Sequence, residues 1–208
     1  MVRKNFIEFI GTFFLVLTVG LSQNPFAIGG VLAALVYMGG YISGAHFNPA
    51  VTLALLLNKK IDMTSAIQYW VVQMAGGVAA AALVGIISGT AFAPTIPTGS
   101  EMGASLLVET LFTFLLAFVV LHVAATKKTE GNQYYGAAIG ITLMTAAFVA
   151  GPISGGAINP AVGAAPHLLN IMKLGENLPT MGLYLIGPLA GGFFAGMVYK
   201  MLEPVVSK

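Results

Sequence analysis

Apolar residues run along this chain in six long stretches, at about Asn5–Leu21, Phe26–Ile42, Thr64–Gly89, Glu101–Ala125, Tyr134–Ala150 and Thr180–Leu202. A helix needs roughly 17–25 apolar residues to cross a hydrocarbon layer of ~30 Å, so the pattern predicts six membrane-spanning helices. Two further apolar stretches, Asn48–Leu57 and Asn159–Leu169, are too short to cross. Both open on Asn-Pro, a helix start signal, because Asn accepts from free N–H groups and Pro fits the first helical position. They read as half-helices dipping in from opposite sides. Non-helical backbone leading into them is tolerable only where it lines a wet cavity.

The half-helices belong to an internal repeat. Ser43-Gly-Ala-His-Phe-Asn-Pro-Ala-Val51 aligns with Ser154-Gly-Gly-Ala-Ile-Asn-Pro-Ala-Val162, matching at six of nine positions. Glu8-Phe-Ile-Gly-Thr-Phe-Phe-Leu resembles Glu109-Thr-Leu-Phe-Thr-Phe-Leu-Leu, and Gly76-Gly77 resembles Gly191-Gly192. Three spans per half force opposite orientations on the halves, an inverted repeat of about 1–95 and 100–208 within one transmembrane domain covering 1–208. The half-helices are then expected to meet tip to tip near the midplane, presenting N–H donors and positive dipole ends to whatever passes. That favours a channel or transporter.

Composition agrees with the bilayer. Apolar residues make up 57% of the chain, charged residues only 8%, and the mean hydropathy is +0.89. Soluble domains carry about a quarter charged residues. There is no Cys, which removes disulfides, thiolate catalysis and Cys-ligated metals together. No cleavable leader is expected, since the apolar run after Arg3 and Lys4 continues to about Leu21 without a clear cleavage site. Charge sets the expected orientation. Cytoplasmic termini and two interior loops would hold Arg3, Lys4, Lys59, Lys60, Lys127, Lys128, Lys200 and Lys208, leaving only Lys173 opposite. The expectation is a multi-pass protein of the cell (plasma or inner) membrane with both termini cytoplasmic.

These residues resemble the signature of the aquaporin and aquaglyceroporin family, the major intrinsic proteins, from Glu8 to about Tyr199. The resemblance implies an all-α bundle of six transmembrane helices and two re-entrant half-helices, assembled as a homotetramer with one pore per subunit. It implies that Asn48-Pro49-Ala50 and Asn159-Pro160-Ala161 place two Asn amides on a single file of water. Physics agrees with Asn there: its NH2 donates to a passing oxygen while its carbonyl holds local backbone N–H groups. Cations and hydronium would meet a barrier from the two dipole ends.

The departures from the family are informative. Most members place Arg directly after the second Asn-Pro-Ala, at the narrowest point near the extracellular mouth; here Val162 stands there. Motif spacing gives Ile28, Ala147 and Gly156 as the other constriction positions, where water-specific members carry an aromatic residue and His at the first two. Arg supplies five donors and a permanent charge, and Val neither, so a wider, less polar constriction is expected. Glycerol-conducting members usually carry Asp soon after the second motif, whereas this chain has Gly163-Ala164-Ala165 and compact loops, closer to the water branch. Some plant vacuolar members share Val at the Arg position and pass ammonia and urea. The expected permeants are water first, then ammonia and other small neutral solutes.

Glu8 and Glu109 sit within apolar spans, where a lone carboxylate is costly. Their symmetry and the resemblance favour structural carboxylates that accept hydrogen bonds from the loops before the half-helices. His46 is expected to line the cytoplasmic side of the pore, with a pH gate as the lesser alternative. His122 and His167 read as surface or interface residues. The paired glycines suggest close helix packing. No phosphate loop, nucleophile–base pair, metal-ligand cluster or basic nucleic-acid patch stands out, so no enzyme, metal or cofactor is expected. Membrane lipid and further copies of the chain are the expected partners. Two other functions fit the pattern less well. A coupled transporter would surround its half-helices with ionic groups, and a structural junction protein of this fold would carry binding extensions.

Overall fold

The computed structural model describes residues 1–169 and 174–203. Lys173 and Lys208, two of the charges in the orientation argument, lie outside the described residues. The described chain forms α1 (Val2–Ser22), α2 (Pro25–Ser43), α3 (Pro49–Leu57), α4 (Met63–Ser88), α5 (Met102–Ala124), α6 (Tyr135–Ser154), α7 (Pro160–Gly163) and α8 (Leu174–Leu202). Six of these, all but α3 and α7, are long and apolar enough to cross a membrane. The nine residues of α3 rise about 14 Å, less than half the ~30 Å layer. Large apolar side chains such as Phe6, Val71, Ile86 and Ile186 point outward, as a lipid-facing surface requires.

Proline explains where sequence and structure part. Hydropathy ends the fifth span at Ala150, but α6 continues through Pro152 to Ser154. Pro152 has no N–H for the Phe148 carbonyl, yet the helix closes normally one turn later, where left-handed Gly155 (φ 90°) returns its N–H to Gly151. The second half-helix behaves oppositely. It is α-helical only as far as Gly163 and continues as a 3-10 turn over Ala165–Leu169. Pro166 cannot donate to the Val162 carbonyl and its ring crowds that position, so the α ladder ends there. The sixth span begins at Leu174 rather than Thr180, taking in Glu176, whose charge suits the first turn of a helix.

The halves pack in matching pairs: α1 on α4 and α5 on α8, α1 on α2 and α5 on α6, and each half-helix against the last long helix of the other half. Glycine permits the closest approaches. A Cβ on Gly76 would lie 2.7 Å from the Phe9 carbonyl oxygen, and one on Gly191 would strike the carbonyl of Thr110, the repeat equivalent of Phe9. Likewise a Cβ on Gly77 would lie 2.5 Å from Ala161 O, and one on Gly192 would strike Ala50 O. The two glycine pairs therefore seat the half-helices of opposite halves on α4 and α8.

Candidate pore

Two loops, residues 44–48 and 155–159, lead into the half-helices, and each contains three residues in the left-handed region. These are Gly44, Ala45 and Phe47 (φ 92°, 51° and 49°) and their repeat equivalents Gly155, Gly156 and Ile158 (φ 90°, 64° and 54°). For Phe47 and β-branched Ile158 such a backbone costs on the order of 1–3 kcal/mol each, so something must hold it.

Glu8 and Glu109 do so. Glu8 Oε1 accepts from Ser43 Oγ (2.7 Å) and His46 N (2.9 Å), and Oε2 accepts from Phe47 N (2.8 Å) and Gln73 Nε2 (2.9 Å). Glu109 repeats the pattern with Ser154 Oγ (2.7 Å), Ala157 N (2.9 Å) and Ile158 N (2.7 Å). Both carboxyl groups are fully buried. Tyr69 and Tyr184 complete each cradle by donating to the carbonyls of Ser43 and Ser154. Sequence reading missed the tyrosines, although a signal exists: each stands seven residues before its glycine pair. The symmetry breaks at one place. Gln73 bonds Glu8 and Thr52, but the corresponding position in α8 is Pro188, which has no side-chain donor.

The loops deliver Asn48 and Asn159 to the centre. Each Oδ1 caps its own half-helix, accepting from Ala50 N and Ala161 N at 2.9 Å. Each Nδ2 crosses to the opposite loop: Asn48 donates to Ile158 O (3.0 Å) and Asn159 to Phe47 O (2.9 Å). An Asn amide has two N–H groups, so one on each remains for a permeant. Pro49, Ala50, Pro160 and Ala161 are buried beneath them in the first turns.

Three cavities lie in series along this axis. The central one is about 20 Å³. That is room for about one water molecule by the ~10–15 Å³ criterion. It touches both Asn side chains and a wall of Leu15, Leu32, Leu116 and Leu143, and His46 is the ionisable side chain on it. Towards the loop between α4 and α5 it opens, past Ile28, Gly156 and Val162, into a vestibule of about 660 Å³ that Ala147 also lines. All four expected constriction positions thus meet in one vestibule; none carries a polar side chain. On the opposite side, past His46 and Val120, it opens into a vestibule of about 800 Å³ whose wall includes Lys4, Lys59, Lys60 and Asp62. His46 Nδ1 pairs with Thr52 Oγ1 (3.0 Å), and its ring meets Tyr69 edge-on.

Two histidines need separate treatment. His122 is half-buried at the end of α5, bonded to Phe118 O and edge-on to Tyr199. His167 is not a surface residue: it is 2% exposed and its Nε2 lies 3.0 Å from Pro94 O. The loop between α4 and α5, read from sequence only as a connection, brings Pro94, Thr95 and Pro97 into the same vestibule as Ile28 and Val162. Its Pro-spaced composition marks a shaped loop but not where it folds.

The chain matches the major intrinsic protein family over residues 1–199. It is 33% identical to "Aquaporin NIP1-1" of Zea mays, covering 97% of this chain and 75% of that one. It is 35% identical to "Glycerol uptake facilitator protein-like 6" of Lactiplantibacillus plantarum, covering 96% and 98%. A "Probable aquaporin NIP-type" of Nicotiana alata shares 35% identity, and the match spans 63% of that protein's length. In structure it is similar to the aquaglyceroporin of Plasmodium falciparum, with a TM-score of 0.84 over 99% of this chain and 98% of that one at 21% identity, a likeness of fold. The six spanning helices, the paired half-helices and these relatives agree: this chain is a multi-pass integral membrane protein that belongs to the major intrinsic protein family of aquaporin-type channels.

Proposed function

We propose that the protein is a passive channel for water and for small neutral solutes such as ammonia, selected at a widened apolar constriction formed by Ile28, Ala147, Gly156 and Val162. One observation carries the reading: two wide vestibules join through a one-water space between two Asn amides, and the four constriction positions bring no polar side chain to the outer mouth. A permeant at the constriction meets backbone oxygens and apolar surface. Beyond it, the permeant reaches the side-chain donors of Asn48 and Asn159, where the dipole ends of α3 and α7 disfavour cations. Without the Arg charge, a neutral solute larger than water loses less on entry. His46 is pore lining at the inner mouth, and Glu8 and Glu109 hold the loops rather than move protons. The names of the relatives, which include both aquaporins and a glycerol uptake facilitator, are compatible with a mixed permeant set. Lys4, Lys59 and Lys60 around one vestibule support a cytoplasmic assignment of that end, with both termini on the same side. The functional unit is a homotetramer in a cell membrane, one pore per subunit.

The test is stopped-flow light scattering on proteoliposomes, with an impermeant osmolyte and then with urea, glycerol and ammonia. Fast water flux with solute entry that Val162→Arg abolishes supports the apolar constriction. Water flux without solute entry rejects the widened mouth. Saturable, gradient-coupled flux favours a transporter, and no flux above empty liposomes rejects the open channel.

A further inference from the structure

We infer that His167 is a positioning residue for solute selection: its imidazole latches the α4–α5 loop onto the outer mouth, and this loop supplies the wall that the missing Arg leaves open. The inference rests on the constriction reading above and adds a residue and a segment to it.

The loop has little else to fix it. Ala91–Thr98 has no regular secondary structure. Among the described residues, the one hydrogen bond tying this stretch to another part of the protein runs between His167 Nε2 and Pro94 O, across 73 positions of sequence. Because the partner is a carbonyl, Nε2 must carry the proton and donate. No partner meets Nδ1 among the described residues, so the ring's polar commitment is to the loop alone. Apolar contacts place the rest: Phe92 packs beside Gly20, and Phe92 and Ile96 rest against the core. Pro94 and Pro97 restrict the backbone between those anchors.

What the latch holds in place is the mouth itself. A Cβ on Gly155 would lie 2.7 Å from Thr95 O, so the loop backbone presses directly on the turn that presents Gly156 and Ala157. Pro94 and Thr95 share the outer vestibule with Ile28, Ala147, Gly156 and Val162. Apolar side chains on one wall and fixed loop backbone on the other then define the aperture. Freed from His167, the loop can move away from Gly155, which widens the aperture for solutes while water still fits.

The experiment compares the parent, His167→Leu, which removes the donor, and His167→Gln, which returns an N–H at similar reach. Amide hydrogen exchange in proteoliposomes reads the loop, and stopped-flow scattering reads urea and glycerol permeability relative to water. The expected result for His167→Leu is at least tenfold faster exchange at Thr95 and Ile96. The solute-to-water ratio rises at least threefold, water permeability stays within twofold of the parent, and His167→Gln restores both readings. Unchanged loop exchange in His167→Leu overturns the latch. Faster exchange with an unchanged ratio in a conducting parent overturns the selectivity role alone, as does a loss of water and solute flux in parallel. A parent that conducts nothing overturns the channel reading itself.

Discussion

Gly29 of α2 and Gly140 of α6 meet face to face on the pseudo-two-fold axis, and each occupies the space where the other's side chain would stand. A Cβ on Gly29 would lie 2.5 Å from Gly140 O, and one on Gly140 would strike Gly29 O and lie 2.6 Å from the Ala33 Cβ. Gly140→Leu is therefore expected to force α2 and α6 apart at a cost of about 1–3 kcal/mol or more. Gly30→Ala, one residue along with nothing near its missing side chain, is the control and should change little. Thermal unfolding in detergent, followed by Trp70 fluorescence, checks both.

The Glu cradles make a graded prediction. Gln in place of Glu8 must turn an NH2 toward one pair of donors, either Ser43 Oγ with His46 N or Phe47 N with Gln73 Nε2. In Glu109→Gln the NH2 can face Ile158 N alone, a single clash. Each buried donor left without an acceptor costs about 1–3 kcal/mol. Glu8→Gln should therefore lower the melting temperature and water permeability more than Glu109→Gln does. Equal losses would mean that Gln73 contributes nothing to the first cradle.

Much of this was legible in the sequence, and what was not has physical reasons. The spans, the half-helices and the two carboxylates follow from local patterns: apolar run length, Asn-Pro starts, and a costly charge placed twice. That α6 runs on through Pro152 while the second half-helix loses its α ladder at Pro166 was not legible, because whether a proline ends a helix depends on what satisfies the freed carbonyl. His167 was misread as a surface or interface residue because its partner Pro94 lies across the fold, and no periodicity links them. The crossing of Asn48 and Asn159 to each other's loops was hidden for the same reason.

Tyr69→Phe and Tyr184→Phe should behave alike, since each removes one phenol from an equivalent serine carbonyl at the end of α2 or α6. About 1 kcal/mol of stability per variant is expected. Their effects should add in the double variant, because the two sites lie in different halves. Denaturant titration of all three variants tests this.

Asp62, before α4 and outside the spans, predicts an acid dependence. Its carboxylate accepts from Ser65 Oγ (2.6 Å) and Ser65 N (2.9 Å), which holds it below the ordinary carboxylate range, the Ser65 side chain contributing most. A depressed folded value stabilises fully above the unfolded value of 3.8 and loses that contribution as pH falls through the folded one. The parent should therefore melt above Asp62→Ala near neutrality, and the two melting curves should converge in acid. A gap that persists at low pH would mean the charge does not carry the cap.

The crossed amides bear on how such a chain can arise and assemble. Asn48 closes on Ile158, and Asn159 closes on Phe47, so neither half contains the acceptor that its own asparagine uses. A half-length polypeptide could build this centre only by pairing with an upside-down twin. Joining two halves in one chain turns that chance encounter into an intramolecular event at high effective concentration. Once joined, the halves are free to diverge, and Gln73 against Pro188 at equivalent places marks one point where they have.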